Sequence, residues 1–445
     1  MKKRIFVDCS YLYEHPHLNT GIQRVVRKVL DNLETLAKDK DLEIIPVVIS
    51  HSNFFVIKKE HLYNQQNSSK SKLLNKESIK NYFKNILKAF RELIVALFPF
   101  KRVKNFVYAP KDTFGLSYII YSIFKNRTQT KEPTNNNIEK EELKVTKDDI
   151  LLLIDSSWYL NIWPTVSRLK KDGVKVVSVI YDLIPITNSE FCDDFLVEVF
   201  KSWFKESLNY IDKFIAISHT VENDLKAFLH KEFKIEIENS KFDHFLLGSD
   251  FSYNSNNNLT IRDSLKNIFS SKKNIYLIVC TIEPRKNHKY LLDVFDKLWE
   301  EKYDISLMIV GKVGWKVEDT INRINNHKKL HKNLFIFTDL NDKELNYCYK
   351  NSKMLLFPSI IEGFGLPIVE SLSNNLPVLA SNIPIHKEVG KDNIGYFDIT
   401  NTDSLINLIK DIEQNGIPKN LIPPKDYKWL TWKNSTQQLL EKVLK

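Results

Sequence analysis

The 445-residue sequence predicts an α/β protein of two doubly wound, parallel-sheet domains facing each other across a cleft. Three observations predict it. Apolar runs of strand length alternate with helical periods through most of the chain, the pattern of a parallel sheet covered by helices. One polar stretch, "FSYNSNNNLTIRDS" from residue 251, interrupts that alternation and reads as a linker. Every polar motif falls on a strand-to-helix loop, the edge at which such sheets bind ligands. With 43% apolar residues, the chain can fill cores of this size.

In order along the first half, strands are expected at "KRIFVDCS", "LEIIPVVIS", "DILLLID", "VKVVSVIYDL" and "KFIAIS". Helices fall between them, notably "GIQRVVRKVLDNLETLAK" and "HTVENDLKAFLH", the latter with Ser218 as N-cap. After the linker come "NIYLIVC", "DISLMIVG", "NLFIFTD", "KMLLFPS" and "LPVLAS", each followed by a helical segment. The domains are set at 1–252 and 253–425. A closing segment, 426–445, reads as a turn with Trp429 and Trp432, as packing anchors or sugar-stacking platforms, then an amphipathic helix.

Residues 51–145 read as an insertion in the first domain. They hold 18 Lys/Arg against 8 Asp/Glu, so this one segment carries the whole net charge of +10. Within it, apolar residues from Ile79 to Phe98 recur at helical spacing, and Lys80, Lys84, Lys88 and Arg91 fill the intervening positions. Residues 79–104 therefore suit either an anionic membrane interface or ordinary packing with a solvated basic face. Four scattered cysteines without a CxxC pair argue against a disulfide framework or a zinc site, and fit a reducing cytoplasm. "MKKRIFVDCSYLY" reads as a first strand rather than a signal peptide, and no apolar run is long enough to span a membrane. Cytoplasmic placement, with peripheral contact to the inner face of the membrane, is the expectation.

The stretch "IIEGFGLPIVESL", residues 360–372, sets Glu362 and Glu370 eight positions apart around Gly363, Gly365 and Pro367. On one straight helix the two acids would lie about 12 Å apart along the axis, too far to share a small group. Glycine favours tight turns and proline fits only a first helical turn. The stretch therefore reads as strand, glycine loop and helix, with the helix starting near Pro367 and Glu370 in its first turn. Free N–H groups and the helix dipole, flanked by two carboxylates, suit a ligand with an anionic middle and hydroxyls at both ends.

Taken in order, "NTGIQRVVR", "IYDLIPI", "CTIEPRKNH", "VGKVGW" and "EGFGLPIVESL" resemble one family. It is the retaining, nucleotide-sugar-dependent glycosyltransferases of the GT-B fold, family four, and the resemblance covers almost everything outside the basic insertion. It implies a final helix that crosses back to the first domain. It implies Arg285 and Lys286 as the cations that steady the departing diphosphate, with no metal or other cofactor. Glu362 and the backbone of Gly363, Phe364 and Gly365 would hold the sugar, with Leu366 beside them and Asp182 among the catalytic residues. Glu370 would bind the ribose hydroxyls. Gly21, between the first strand and the first helix, would let the chain approach the phosphates, Gly311 and Lys312 would line the donor pocket, and Asp339 and Leu340 would border the base. Gln23 and Arg24 would reach acceptor or phosphate, and Tyr181 would face the acceptor, standing where many relatives carry histidine. Cys280 stands where some carry a diphosphate-binding arginine. Front-face transfer, in which the departing phosphate takes the acceptor's proton, is implied over a covalent route through Glu362.

"TGIQR" and "DSSW" resemble mannosyl- and rhamnosyl-transferring members of bacterial O-antigen pathways, which makes GDP-mannose the first donor expected. UDP-sugars, GDP-fucose and dTDP-rhamnose are the alternatives. Two rivals come from other classes. "GIQRVV" lacks the GxGxxG of a nicotinamide-dependent oxidoreductase, and the basic insertion lacks the aromatic-basic motif of a nucleic-acid binder.

Overall fold

The computed structural model describes residues 2–18, 21–38, 40–51, 54–63, 145–234, 238–249, 260–271 and 274–445. The basic stretch 79–104 lies outside them. Two sheets organise the chain. The first has the strand order β3-β2-β1-β4-β5-β6-β7, from β1 Lys3–Asp8, β2 Leu42–Ile49, β3 Phe54–Val56, β4 Ile150–Leu153, β5 Lys175–Ile180, β6 Lys213–Ala216 and β7 Phe242–His244. Its strands pair parallel except β2 with β3. The helices of this half are α1 Ser10–Glu14, α2 Gly21–Ala37, α3 Trp163–Lys171, α4 Ile184–Thr187, α5 Asp194–Ser207 and α6 His219–Phe233.

The second sheet is fully parallel, in the order β10-β9-β8-β11-β12-β13. Its strands are β8 Ile275–Val279, β9 Ser306–Val310, β10 Leu334–Phe337, β11 Met354–Phe357, β12 Val378–Ser381 and β13 Gly395–Phe397. The helices are α7 Asp263–Ser271, α8 His288–Glu300, α9 Glu318–Asn325, α10 Asp342–Asn351, α11 Leu366–Ser373, α12 Pro384–Gly390 and α13 Thr402–Asn415. Central strands such as β4 and β11 are buried at every position, because helices cover both faces of a parallel sheet; their sequences are accordingly unbroken apolar runs.

The last helix, α14 Trp432–Leu444, packs on α2 of the first domain. Ser435 Oγ donates to the Leu246 carbonyl at 2.6 Å and Lys213 Nζ to the Lys442 carbonyl at 3.1 Å. Trp432 is buried and Trp429 Nε1 donates to the Leu247 carbonyl at 2.7 Å, so both indoles serve packing. Ser218 caps α6 by accepting from Val221 N at 3.1 Å. The four cysteines are free thiols. No helix among the described residues is long and apolar enough to cross a membrane.

Two expectations need correction. The first sheet runs past residue 51: β3 pairs with β2, and buried Leu62 gives its carbonyl to Arg27 Nε at 3.0 Å. The insertion therefore cannot begin before residue 64. The short α1 also stands between β1 and the helix that Gly21 opens, so Gly21 does not directly follow the first strand. A Cβ at Gly21 would meet nothing within 4 Å, so its φ of +50°, in the left-handed region, and not crowding, accounts for the glycine.

In both sheets the strand order reverses once, between β1 and β4 and between β8 and β11. Parallel sheets of this kind open a crevice there, beyond the carboxyl ends of the strands.

Candidate functional site

The motifs meet at the second of these crevices. From the end of β8 a turn over Pro284–Lys286 carries Arg285 and Lys286 across to the loop that leaves β11. The two loops are tied by Ile360 N donating to the Arg285 carbonyl at 2.8 Å. Arg285 Nη1 reaches Glu362 Oε2 at 2.6 Å and the Ile361 carbonyl at 3.1 Å, while Nη2 pairs with Glu283 Oε1 at 2.7 Å. Lys286 Nζ closes on the other Glu362 oxygen and lies 5.3 Å from the Phe357 ring centre. Lys286, Glu283 and Glu362 are all buried.

Charges gathered this way perturb one another. Burial works to raise the Glu362 carboxyl, but Arg285 and Lys286 override it and hold Glu362 well below the usual carboxylate range. Burial alone lowers the Arg285 guanidinium, yet Glu362, Glu283 and Asp182 raise it further above its ordinary value. Asp182 and Glu283 are pushed upward by burial against the pull of Arg285. Two fixed cations thus sit among three carboxylates, one of them, Asp182, from the first domain.

The glycine loop is the seam between the domains. A Cβ on Gly363 would fall 2.2 Å from the Tyr181 carbonyl and 3.2 Å from Asp182 Cβ. The Gly363 carbonyl accepts from Ser218 Oγ at 3.1 Å. Gly365, with φ of +100°, then turns the chain into α11 at Leu366. Phe364 is buried, its ring 6.1 Å from that of Trp429. Gly363 and Phe364 therefore hold the domains together, a use the sugar-binding expectation did not include. Gly311 is likewise required by packing: a Cβ there would overlap the Cys280 carbonyl at 1.8 Å.

Glu370 is the fifth residue of α11, just past the first turn expected for it. Tyr349 Oη donates to its Oε2 at 2.9 Å, and Arg24 Nη1 pairs with Oε1 at 2.8 Å from across the crevice. Arg24 thus meets the acid expected to hold ribose. Gln23 is buried and donates to Ser156 Oγ at 3.2 Å. The Tyr181 hydroxyl donates inward to the Ile154 carbonyl at 2.8 Å, so it does not replace a histidine aimed at the sugar. Asp339 gives its carboxylate and its carbonyl to Arg262 at 2.9 and 3.3 Å. Lys312 is exposed, and its carbonyl holds Ile282 N at 2.8 Å. Among the described residues, no side-chain hydrogen bond or ion pair joins Lys312, Asp339 or Leu340 to Arg285, Lys286 or Glu362.

Beside that cluster lies a cavity of about 180 Å³ whose lining includes Ile22, Trp158, Asp182, Phe200, Trp203, Glu283, Arg285 and Trp315. Among the described residues the buried Trp203 indole N–H has no acceptor. Trp315 Nε1 closes one side by donating to the Phe191 carbonyl at 2.7 Å. A second pair of acids sits at the first domain's own crevice, Asp8 at the end of β1 and Asp155 after β4. Burial pushes them to about 6 and about 7, Asp8 adding to the rise at Asp155. Sequence reading missed the indoles, Tyr349 and the Asp8–Asp155 pair. The quoted "DSSW" and "IEPRKN" motifs contain Asp155, Trp158 and Glu283 but give no sign of their neighbours.

Residues 261–426 match the family model "Glycosyl transferases group 1". The chain is 28% identical over 313 residues to the serotype-specific mannosyltransferase WbdA of Escherichia coli, covering 68% of this chain and 38% of WbdA. It is thus aligned to little more than a third of that relative's length. It is 25% identical over 275 residues to the O-antigen chain mannosyltransferase RfbU of Salmonella typhimurium, covering 58% and 70% of the two chains. Among solved structures it resembles Anabaena Alr3699/HepE in complex with UDP and glucose, with TM-score 0.56, 11% identity and coverage of 100% and 99%. TarM gives TM-score 0.53 at 12% identity, covering 100% and 95%. The fold is GT-B, as the sequence predicts.

Proposed function

We propose that the chain is a retaining glycosyltransferase that moves a hexose, mannose first among them, from a nucleoside diphosphate sugar to a glycan or lipid-linked glycan of a bacterial surface polysaccharide. The observation that carries the reading is the Arg285–Lys286–Glu362 cluster at the reversal point of the second sheet, facing Asp182 across the seam. The family match lies on the same half of the chain, and the names of WbdA and RfbU favour mannose.

In this reading Glu362 keeps the two cations in place before the donor arrives. The diphosphate then takes over their free valence. The guanidinium can fork two phosphate oxygens and the ammonium adds a point charge, both strongest as charge builds on the leaving group. Glu362 accepts from the sugar's hydroxyls, and Glu370 exchanges Arg24 for the ribose. The indole-walled cavity next to Asp182 and Arg285 receives the acceptor, whose ring can stack on tryptophan and accept from the Trp203 N–H. The departing phosphate takes the acceptor's proton, and the anomeric configuration is retained. Arginine and lysine supply the cationic charge, so transfer needs no metal. Residues 79–104, by composition alone, would bring the enzyme to an anionic membrane surface, a proposal that vesicle sedimentation tests.

The test is a thermal-shift panel of nucleoside diphosphates and their sugars, followed by donor turnover in EDTA. One base is expected to stabilise the chain by its binding free energy. Turnover should survive EDTA and fall at least about hundredfold in Arg285→Ala, the cost of one lost charge-stabilising donor. Strict EDTA sensitivity that Mg²⁺ reverses and Zn²⁺ does not would overturn the arginine and lysine account. Absence of any nucleotide shift would overturn the enzyme reading.

A further inference from the structure

Outside the crevice, three side chains converge where α6 begins. His219 Nδ1 and His244 Nδ1 lie 3.8 and 2.6 Å from the same oxygen of Glu222, Oε2. All three ligand-capable atoms fall within 4.8 Å of one another, and among the described residues no other trio of histidine, cysteine or acidic side chains does so. We propose that His219, Glu222 and His244 form a binding site for a divalent transition-metal cation of the zinc class.

The distances fit that cation. Zinc takes imidazole nitrogen and carboxylate oxygen at about 2.0–2.2 Å, and a tetrahedral set places neighbouring ligand atoms about 3.4 Å apart. The observed 2.6 and 3.8 Å fall on either side of that spacing, so small side-chain shifts admit the ion. Each imidazole would bind through Nδ1 with its proton on Nε2. Lys226 Nζ holds the other Glu222 oxygen, Oε1, at 2.6 Å, which orients the carboxylate and leaves Oε2 to the metal. Glu222 is buried, His244 partly so, and His219 is exposed, giving an entry path from solvent and a fourth position for water.

The backbones that carry the trio are held in place. Glu388 of the second domain accepts from His219 N and Thr220 N at 2.8 Å each, and Asp243 Oδ1 accepts from His244 N at 3.0 Å. Two imidazoles and one carboxylate select transition metals over magnesium and calcium, which require six or more oxygens. A bound ion would brace α6 against edge strand β7. Ser218, the residue before His219, donates to the Gly363 carbonyl, so the braced turn is the one that supports the seam. The inference does not rest on the transfer reading, because its test measures binding and not turnover.

The experiment titrates the untagged, chelator-stripped chain with Zn²⁺ by calorimetry and with Co²⁺ by visible absorption, using Mg²⁺ as comparator. One Zn²⁺ per chain is expected, with the intense cobalt bands of a four-coordinate site and no heat from Mg²⁺. His219→Ala and His244→Ala should each weaken Zn²⁺ binding at least about tenfold, since even a residue that only supports a ligand carries that effect. His219 is exposed, so its variant should keep the circular dichroism of the parent. No Zn²⁺ binding, or unchanged affinity in both variants, would overturn the site.

Discussion

Removing the Glu370 carboxylate separates two contributions that the unliganded geometry combines. Glu370 is 3% exposed and binds Tyr349 and Arg24, one on each oxygen. Taking one partner from a buried ion pair costs about 3–5 kcal/mol, because the remaining charge is left uncompensated. Arg24 is 26% exposed at its side chain, so water recovers part of that cost. The buried Tyr349 hydroxyl loses one hydrogen bond, for about 1 kcal/mol more. Glu370→Ala should therefore lower the urea-unfolding free energy by roughly 3–5 kcal/mol. Arg24→Ala should soften that loss in the double variant, with a coupling of roughly 1–2 kcal/mol.

Nucleotide affinity distinguishes the two residues. A charge-assisted hydrogen bond is worth about 1.5–3 kcal/mol, so Glu370→Ala should weaken the preferred nucleoside diphosphate about ten- to hundredfold in calorimetry. Arg24→Ala removes a competitor for the same carboxylate, and affinity should hold or rise. If Arg24→Ala weakens the nucleotide as far as Glu370→Ala does, the competition reasoning fails. If Glu370→Ala binds like the parent, the ribose assignment fails.

Three further outcomes follow from the same geometry. Gly363→Ala should cut turnover about hundredfold with nucleotide affinity nearly unchanged, because its Cβ meets the Tyr181 carbonyl and shifts the domains by a fraction of their contact distance. Parental kinetics in that variant would refute the seam. Trp203→Phe should raise the acceptor KM several-fold and leave nucleotide affinity alone, one hydrogen bond being worth about 1 kcal/mol; an unchanged KM would remove Trp203 from the acceptor cavity. Asp8 and Asp155 hold their protons to about 6 and about 7, against an ordinary 3.8. Between about pH 4 and 7 the native state therefore binds more protons than the unfolded chain, and stability falls as pH rises through that window. Asp155→Asn should flatten the slope, removing on the order of 3 kcal/mol of pH dependence, as read from urea midpoints at pH 5 and 8. A slope equal to the parent's would refute the shared burial penalty.

The long strands were legible because both sheet faces are covered, which turns β4 and β11 into continuous apolar runs. The three-residue strands β3, β7 and β13 were not, since so short a segment has no measurable period and exists only by pairing with a neighbour. Within the site, the spacing around Gly363 and Gly365 announced a loop between two acids, and Arg285 and Lys286 stood out as cations beside it. Their partners were not legible. Arg24 reaches Glu370, Ser218 reaches Gly363 and Trp315 reaches Phe191 only because one domain is laid on the other, and no local pattern encodes a contact of that range. The indole cavity is assembled from segments scattered between residues 22 and 315, each unremarkable alone. Tyr181 misled for the opposite reason: its position matched the motif, but its hydroxyl had a nearer acceptor in Ile154.

At Gly248 and Ser249 the first domain lies against the segment that leads into α14. Ser249 N donates to the Leu430 carbonyl at 2.9 Å, and Gly248 lies so near Trp432 that a Cβ would fall 2.6 Å from the tryptophan Cα. Two segments fastened backbone to backbone in this way tie the end of the first domain to the start of the last helix. A side chain at Gly248 would push those backbones apart, so one hydrogen-sized position sets how closely the returning helix can seat against the domain it rejoins.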